Sequence, residues 1–238
     1  MSQGILQNRP LMFLLFVSFF GILLLMLLAF FPSMPHEDFV WRKPLVGFVF
    51  GLICVLGGLA ALFAEQYTNI FNLGKGREHA LHGYSFKAGG HHPRCENFSS
   101  HVFEVVNRRF CVACTGLAVG GFLALVGTFL YFFGDWHVQQ NNIVVVLTGL
   151  LGVGLGLFQF RARQRLIRLF LNAFFVLGSF LVLVGIDEFT QSVFADLFLV
   201  LLIVFWLFTR ISISQWDHER ICYACGVAGC EFRELRER

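Results

Sequence analysis

Charge is what this chain has least of: Asp, Glu, Lys and Arg make up 14% of its 238 residues, against roughly 25% in soluble domains. Six long apolar runs, Leu11–Phe31, Leu45–Ala64, Thr115–Phe133, Ile143–Phe160, Leu169–Ile186 and Ser192–Thr209, contain no lysine or arginine, and Asp196 is the only acid inside them. Proline is also sparse. Pro10, Pro32, Pro35, Pro44 and Pro93 all lie outside the runs, so no run is broken as a helix by a ring that removes an amide donor. No GxSxG, Walker loop or GxGxxG occurs, and Glu78-His79-Ala80-Leu81-His82 lacks the HExxH order. These absences leave no recognisable nucleophile elbow, phosphate loop, dinucleotide turn or zinc-protease helix. Net charge is only +3 and the basic residues form no single block, so nothing points to nucleic acid.

Hydrophobic residues, by contrast, reach 57%, with 31 Phe. A bilayer core about 30 Å thick takes about 20 apolar residues in helix, and amides in lipid must be satisfied within their own segment. The six runs therefore predict an all-α integral membrane protein, a bundle of about six transmembrane helices. Leu11–Phe31 is too long for a signal-peptide core, and Pro32-Ser33-Met34-Pro35 offers no cleavage pattern, so it reads as a retained helix. The division is helices one and two in residues 1–64, a Cys/His loop at 65–114, helices three to six in 115–210 and a Cys-rich tail at 211–238. Gly47/Gly51, Gly116/Gly120 and Gly152/Gly156 are spaced to let helices approach closely, within one bundle or in a homo-oligomer.

Basic residues set the expected orientation. Arg9, the 65–114 loop, Arg161, Arg163, Arg165, Arg168 and the tail hold all the lysines and arginines except Arg42 and Lys43. The positive-inside rule puts that side, with both termini, in the cytoplasm of a multi-pass cell-membrane protein. The arginines at 161–168 read as orientation charges on lipid phosphates. Asp187, Glu188 and Asp196 read as solvated carboxylates at the outer interface.

Cys54 is mid-run and reads as a small apolar packer. The other six cysteines fall on the cytoplasmic side, where thiols stay reduced, so CxxC spacing there suggests metal or redox chemistry rather than a disulfide framework. The loop carries His91, His92, Cys95 and His101 and then Cys111-Val112-Ala113-Cys114. Two thiolates from one tight turn can share an ion, and zinc needs four ligands in a tetrahedron. Cys95, Cys111 and Cys114 with one histidine would complete a site, with His101 first and His91 or His92 competing. The tail offers His218, Cys222, Cys225 and Cys230, and Gly226 permits the turn of a knuckle. Two local sites, or one shared site joining Cys111/Cys114 to Cys222/Cys225, both satisfy the spacing. Zinc is the expected cofactor. An iron–sulfur cluster and a thiol–disulfide centre are the alternatives.

The stretch from His91 to Gly121, with Cys111-Val112-Ala113-Cys114-Thr115-Gly116 opening a helix, resembles an uncharacterised family of small multi-spanning bacterial and archaeal membrane proteins. That family's hallmark is a Cys/His segment followed by CxxCTG, and His91-His92-Pro93-Arg94-Cys95 is similar to its archaeal branch. The resemblance implies a cytoplasmic-side metal site at His92, Cys95, Cys111 and Cys114, with His101 as a further candidate. It implies no activity, and the tail cysteines fall outside its pattern. The expectation is a non-catalytic zinc-ordered platform that docks a cytoplasmic protein partner or holds the bundle together. A membrane-embedded metalloenzyme or thiol oxidoreductase is the second reading, and a transporter or lipid-handling protein the third.

Overall fold

The computed structural model describes residues 8–30, 41–62, 96–105, 108–134, 136, 142–162 and 164–224. Six α-helices form among them: α1 Arg9–Phe30, α2 Arg42–Leu62, α3 Val112–Thr128, α4 Asn142–Leu157, α5 Arg165–Thr190 and α6 Val193–Ala224. α3 continues into a π turn at Phe129–Phe133, and a 3₁₀ turn at Gln159–Arg161 follows α4. Five helices are long and apolar enough to cross a membrane: α1, α2, α3 with its π turn, α5 and α6. The expected fourth run is the exception. α4 has 16 residues and covers about 24 Å at 1.5 Å per residue, because its helix stops at Leu157 and a 3₁₀ turn follows.

Large apolar side chains cover the outside. Phe13, Phe16, Phe48, Phe122, Phe129 and Phe194 are all exposed, which suits hydrocarbon as the solvent and accounts for the surplus of phenylalanine. Inside, Trp206, Tyr131, Phe50, Phe175, Leu157 and Leu183 are fully buried. α1 is tied to α6 by the Ser18 hydroxyl on Thr209 Oγ1 at 3.1 Å and by the Trp206 indole N–H on the Ser18 carbonyl at 3.3 Å.

Glycines decide how the other helices meet. A Cβ added at Gly120 would lie 2.6 Å from the Ala173 carbonyl oxygen. One at Gly116 would strike the Leu169 carbonyl, and one at Gly127 would meet Phe180. The constant offset makes α3 and α5 parallel neighbours at backbone contact. Gly152 faces Phe174, Gly156 faces Phe175, and Gly185 faces Val146, so α4 runs antiparallel along α5. Gly47 packs on Phe132 and Gly121 near Cys54, making α2 antiparallel to α3. The glycine faces expected to serve either a bundle or a homo-oligomer thus pack largely inside one chain, and an oligomer would need another surface.

Before α3 the chain forms a 3₁₀ turn, Glu96–His101, and an antiparallel hairpin of β1 Val102–Val105 and β2 Arg108–Cys111, with Val102 opposite Cys111. Val-Phe-Glu-Val against Arg-Arg-Phe-Cys is rich in the β-branched and aromatic residues that suit strands, and Phe103 stacks on Phe110 at 5.7 Å. The hairpin stands where the Cys/His segment reads from sequence as loop. The last helix outruns its apolar run: it continues past Thr209 to Ala224, carrying His218 and Cys222 on a helix.

Candidate functional site

Polar residues gather at both ends of the bundle. At the first, α2 begins, α3 ends, and α5 turns into α6. Gln191, at φ 46°, closes α5 with its N–H on the Asp187 carbonyl at 3.0 Å. This two-residue link brings the last turn of α5 against the first turn of α6, and so Asp187 beside Asp196. Both are 0% exposed, and Arg42 is 8% exposed. Arg42 Nη1 pairs with Asp187 Oδ1 and with Asp196 Oδ2, the latter at 2.9 Å. The π turn directs buried Tyr131 inward, with its hydroxyl 2.6 Å from Asp187 Oδ2 and 2.9 Å from Glu188 Oε1. Lys43 Nζ caps the Tyr131 ring at 4.8 Å. Asp187 and Asp196 are therefore not solvated interfacial carboxylates. Burial without a counter-ion would be prohibitive, and Arg42, read from sequence only as a minor charge on the outer side, supplies it.

The opposite end holds a cavity of about 360 Å³ lined by α2, α3, α5, α6 and the segment before α3. The hairpin delivers Cys111 directly to the N-cap of α3, where its backbone is extended and its sulfur accepts the Cys114 N–H at 3.5 Å. The Thr115 hydroxyl donates to the Cys111 carbonyl at 3.0 Å. Both sulfur-bearing residues line the cavity, at the positive end of a helix dipole.

His101 and His218 line it too. They come from the loop and from α6, yet their ring centres are 5.6 Å apart, and Phe98 stands edge-on to both at 5.4 and 5.6 Å. His101 Nε2 lies 3.6 Å from buried Asp217 Oδ2, and the Arg220 guanidinium donates to Asp217 Oδ1 at 2.8 Å. Arg168 is buried with its Nη2 3.7 Å from Asp217, whereas Arg161 and Arg165 are exposed. It faces the interior instead of serving as a lipid-facing orientation charge.

Arg210 lies deeper. Its Nε donates to Asn172 Oδ1 at 2.9 Å, Nη2 donates to Gln159 Oε1 at 3.3 Å, and Asn172 is fixed by donating to the Arg168 carbonyl at 2.6 Å. Arg210 is also within electrostatic reach of Cys111 and Cys114.

Of the nine metal-ligand candidates, His101, Cys111, Cys114 and His218 converge on this cavity. Cys222 sits one turn beyond His218 on α6, half-buried and outside the cavity lining. His92, Cys95, Cys225 and Cys230 lie outside the described residues. Among the described residues no three His, Cys, Asp or Glu side chains are grouped so as to hold a metal ion. These four, two thiols on one turn and two imidazoles across the cavity, equal the number of ligands a tetrahedral zinc site requires without being grouped around one point. No family model, curated protein or solved structure matches the chain.

The buried polar residues Arg42, Gln159, Arg168, Asn172, Arg210 and Asp217 carry no motif that marks them in the sequence. A signal for some of them exists. Arg168, Asn172, Phe175 and Ser179 on α5, and Trp206, Arg210, Ile213 and Asp217 on α6, recur at spacings of three and four, which places polar residues on the same helix face as core residues.

Proposed function

We propose that the chain is a six-span protein of the cell membrane with both termini in the cytoplasm, whose Cys/His face binds one zinc ion shared between the loop and the last helix. The ion would tie the loop to the bundle and present a platform to a cytoplasmic protein partner, with no catalytic role. Six spans rather than five are supported by the path of α4, which must return the chain from the end of α3 to the start of α5 and lies antiparallel along α5. The orientation rests on the excess of Lys and Arg at the cavity end. The observation that carries the shared zinc site is the convergence of His101 from the loop and His218 from α6 on the cavity where Cys111 and Cys114 open α3. Because these four are not grouped around one point, some of the ligands would come instead from His92, Cys95, Cys225 or Cys230, and the resemblance of the Cys111–Gly116 motif to a family with a Cys/His segment supports the same reading.

Elemental analysis of purified, detergent-solubilised protein is the test. About one zinc per chain is expected for a shared site, and about two for separate loop and tail sites. Cys111→Ser with Cys114→Ser should release the ion and lower the melting temperature by on the order of 10 °C, as loss of a ligand held well above its dissociation constant does in a chain of this size. Retained zinc with unchanged melting would overturn the proposal. One observation favours a second reading, a thiol oxidoreductase: Cys111 caps a helix N-terminus, where thiolates are favoured and reactive, with Arg210 nearby. Metal-free protein whose two thiols cycle reversibly would establish that reading in place of zinc, and iron with visible absorbance would point to electron transfer.

A further inference from the structure

Arg168 and Arg210 enter the cavity from two helices, and the described residues give Arg168 only a carboxylate shared with Arg220, Asp217 Oδ2 at 3.7 Å, and pair Arg210 with no carboxylate. Arg210 is 4% exposed, and it is held by the neutral amides of Asn172 and Gln159. An amide orients a guanidinium without neutralising it, and a buried charge of this kind ordinarily faces a carboxylate or a phosphate. Arg168 is 7% exposed. Its Nη2 donates to the Ala162 carbonyl at 3.2 Å, and its buried Nε has no hydrogen-bond partner among the described residues. Asp217 is the one acid among the described residues lining the cavity, and Arg220 already holds it at 2.8 Å.

Away from this cationic end the wall turns apolar, through Leu117, Phe175, Ile203 and Leu207. α2 contributes Gly57 and Gly58, where an added Cβ would meet no described atom within 4 Å. The cavity is thus cationic at one end, greasy along its length, and bordered by a seam of open space in a helix that is otherwise long and apolar enough to cross a bilayer.

We propose that this cavity binds a membrane lipid with a phosphate headgroup. Its phosphate oxygens would meet Arg168 Nε and the Arg210 guanidinium, and its hydrocarbon would run past Leu117 and Ile203 toward Gly57 and Gly58. The planar guanidinium fork matches phosphate oxygens in a way a lysine does not. A volume of about 360 Å³ lies at the lower end of small-molecule sites, about 300–1,000 Å³, so it takes the head and the first part of a chain while the rest stays in the bilayer. The lipid site shares its cavity with the Cys/His cluster but uses the arginines and the apolar wall, so its test does not require that zinc bind.

The full chain, purified in a neutral detergent, is titrated with dioleoyl phosphatidic acid, with dioleoyl phosphatidylcholine, or with inorganic phosphate, and melting and native-mass occupancy are followed. Phosphatidic acid should raise the melting temperature and remain bound, and the other two should do neither at equal concentration. Arg210→Gln should weaken phosphatidic acid binding at least about tenfold, the loss expected for one charge-assisted hydrogen bond. Because Arg210 also supports packing, Gly57→Leu is the second variant: its side chain enters open space and should weaken lipid binding while leaving the melting of lipid-free protein unchanged. Equal responses to both lipids, a full response to inorganic phosphate alone, or undiminished phosphatidic acid binding in both variants would overturn the proposal.

Discussion

Arg42→Met is expected to lower stability by about 3–5 kcal/mol, the range seen when one partner of a buried ion pair is removed. Whole domains of ordinary stability hold only about 5–15 kcal/mol. Two opposed effects bear on the outcome. Methionine fills much of the arginine's volume and suits an apolar surrounding, which favours the variant. Against that, Arg42 Nη1 serves both Asp187 and Asp196, each 0% exposed, and its loss leaves two carboxyls side by side with only the Tyr131 hydroxyl, 2.6 Å from Asp187, still in place. Hydrogen bonds between membrane helices average only about 0.6 kcal/mol, so one remaining phenol does not offset an uncompensated buried charge. The charge effect should win. Reversible unfolding of the solubilised protein in denaturant measures it. The cause is isolated by the triple variant Arg42→Met, Asp187→Asn, Asp196→Asn, which removes both buried ion pairs and should recover most of the loss. A single variant within about 0.5 kcal/mol of wild type, the level of an ordinary surface change, would refute the cluster as a structural clamp.

The same cluster shows where sequence reading stops. Lengths of apolar runs are one-dimensional, and five of the six emerge as helices long enough to span. Their ends are less legible, because caps and tertiary support set them. α6 runs on to Ala224 since Trp206, Ile213 and Trp216 keep burying one face well past Thr209. α4 halts at Leu157, where Gln159 turns inward to Asn172 and Arg210. The CxxC pair is legible as a candidate because its spacing is local, and the hairpin that places Cys111 at a helix start keeps the two cysteines on one turn. Arg42 is 145 and 154 residues from Asp187 and Asp196, each of the three lies near the end of a helix, and each alone resembles an interfacial charge. Only the tight Gln191–Ser192 link and the antiparallel return of α2 bring them together. The partial periodicity of Arg168, Asn172 and Ser179 was present in the sequence, but a stripe of three polar residues shows a buried face without saying what lies across from it.

Gly178→Ala is expected to cost about 1–3 kcal/mol, the range for forcing extra volume into a packed interior. The sign is not obvious, because alanine is the better helix former by up to about 1 kcal/mol. Geometry decides. A Cβ at Gly178 would lie 2.6 Å from the Gly149 carbonyl oxygen, 3.0 Å from the Val153 nitrogen and 3.1 Å from the Gly152 Cα. All three atoms belong to the α4 backbone, so no rotamer change relieves the contact and the two helices must separate. Separation is expensive here because α4 is the shortest helix and lies along α5 through Gly149, Gly152 and Gly156, with no long apolar span of its own to anchor it. Gly154→Ala is the matched control. It sits on α4, the other helix of the pair, and an added Cβ there meets no described atom within 4 Å, so it should be silent or slightly stabilising. The comparison is made by unfolding both variants in the same detergent. Equal stabilities would mean that α4 and α5 do not meet at backbone contact, and the antiparallel return of α4, on which the sixth span depends, would lose its main support.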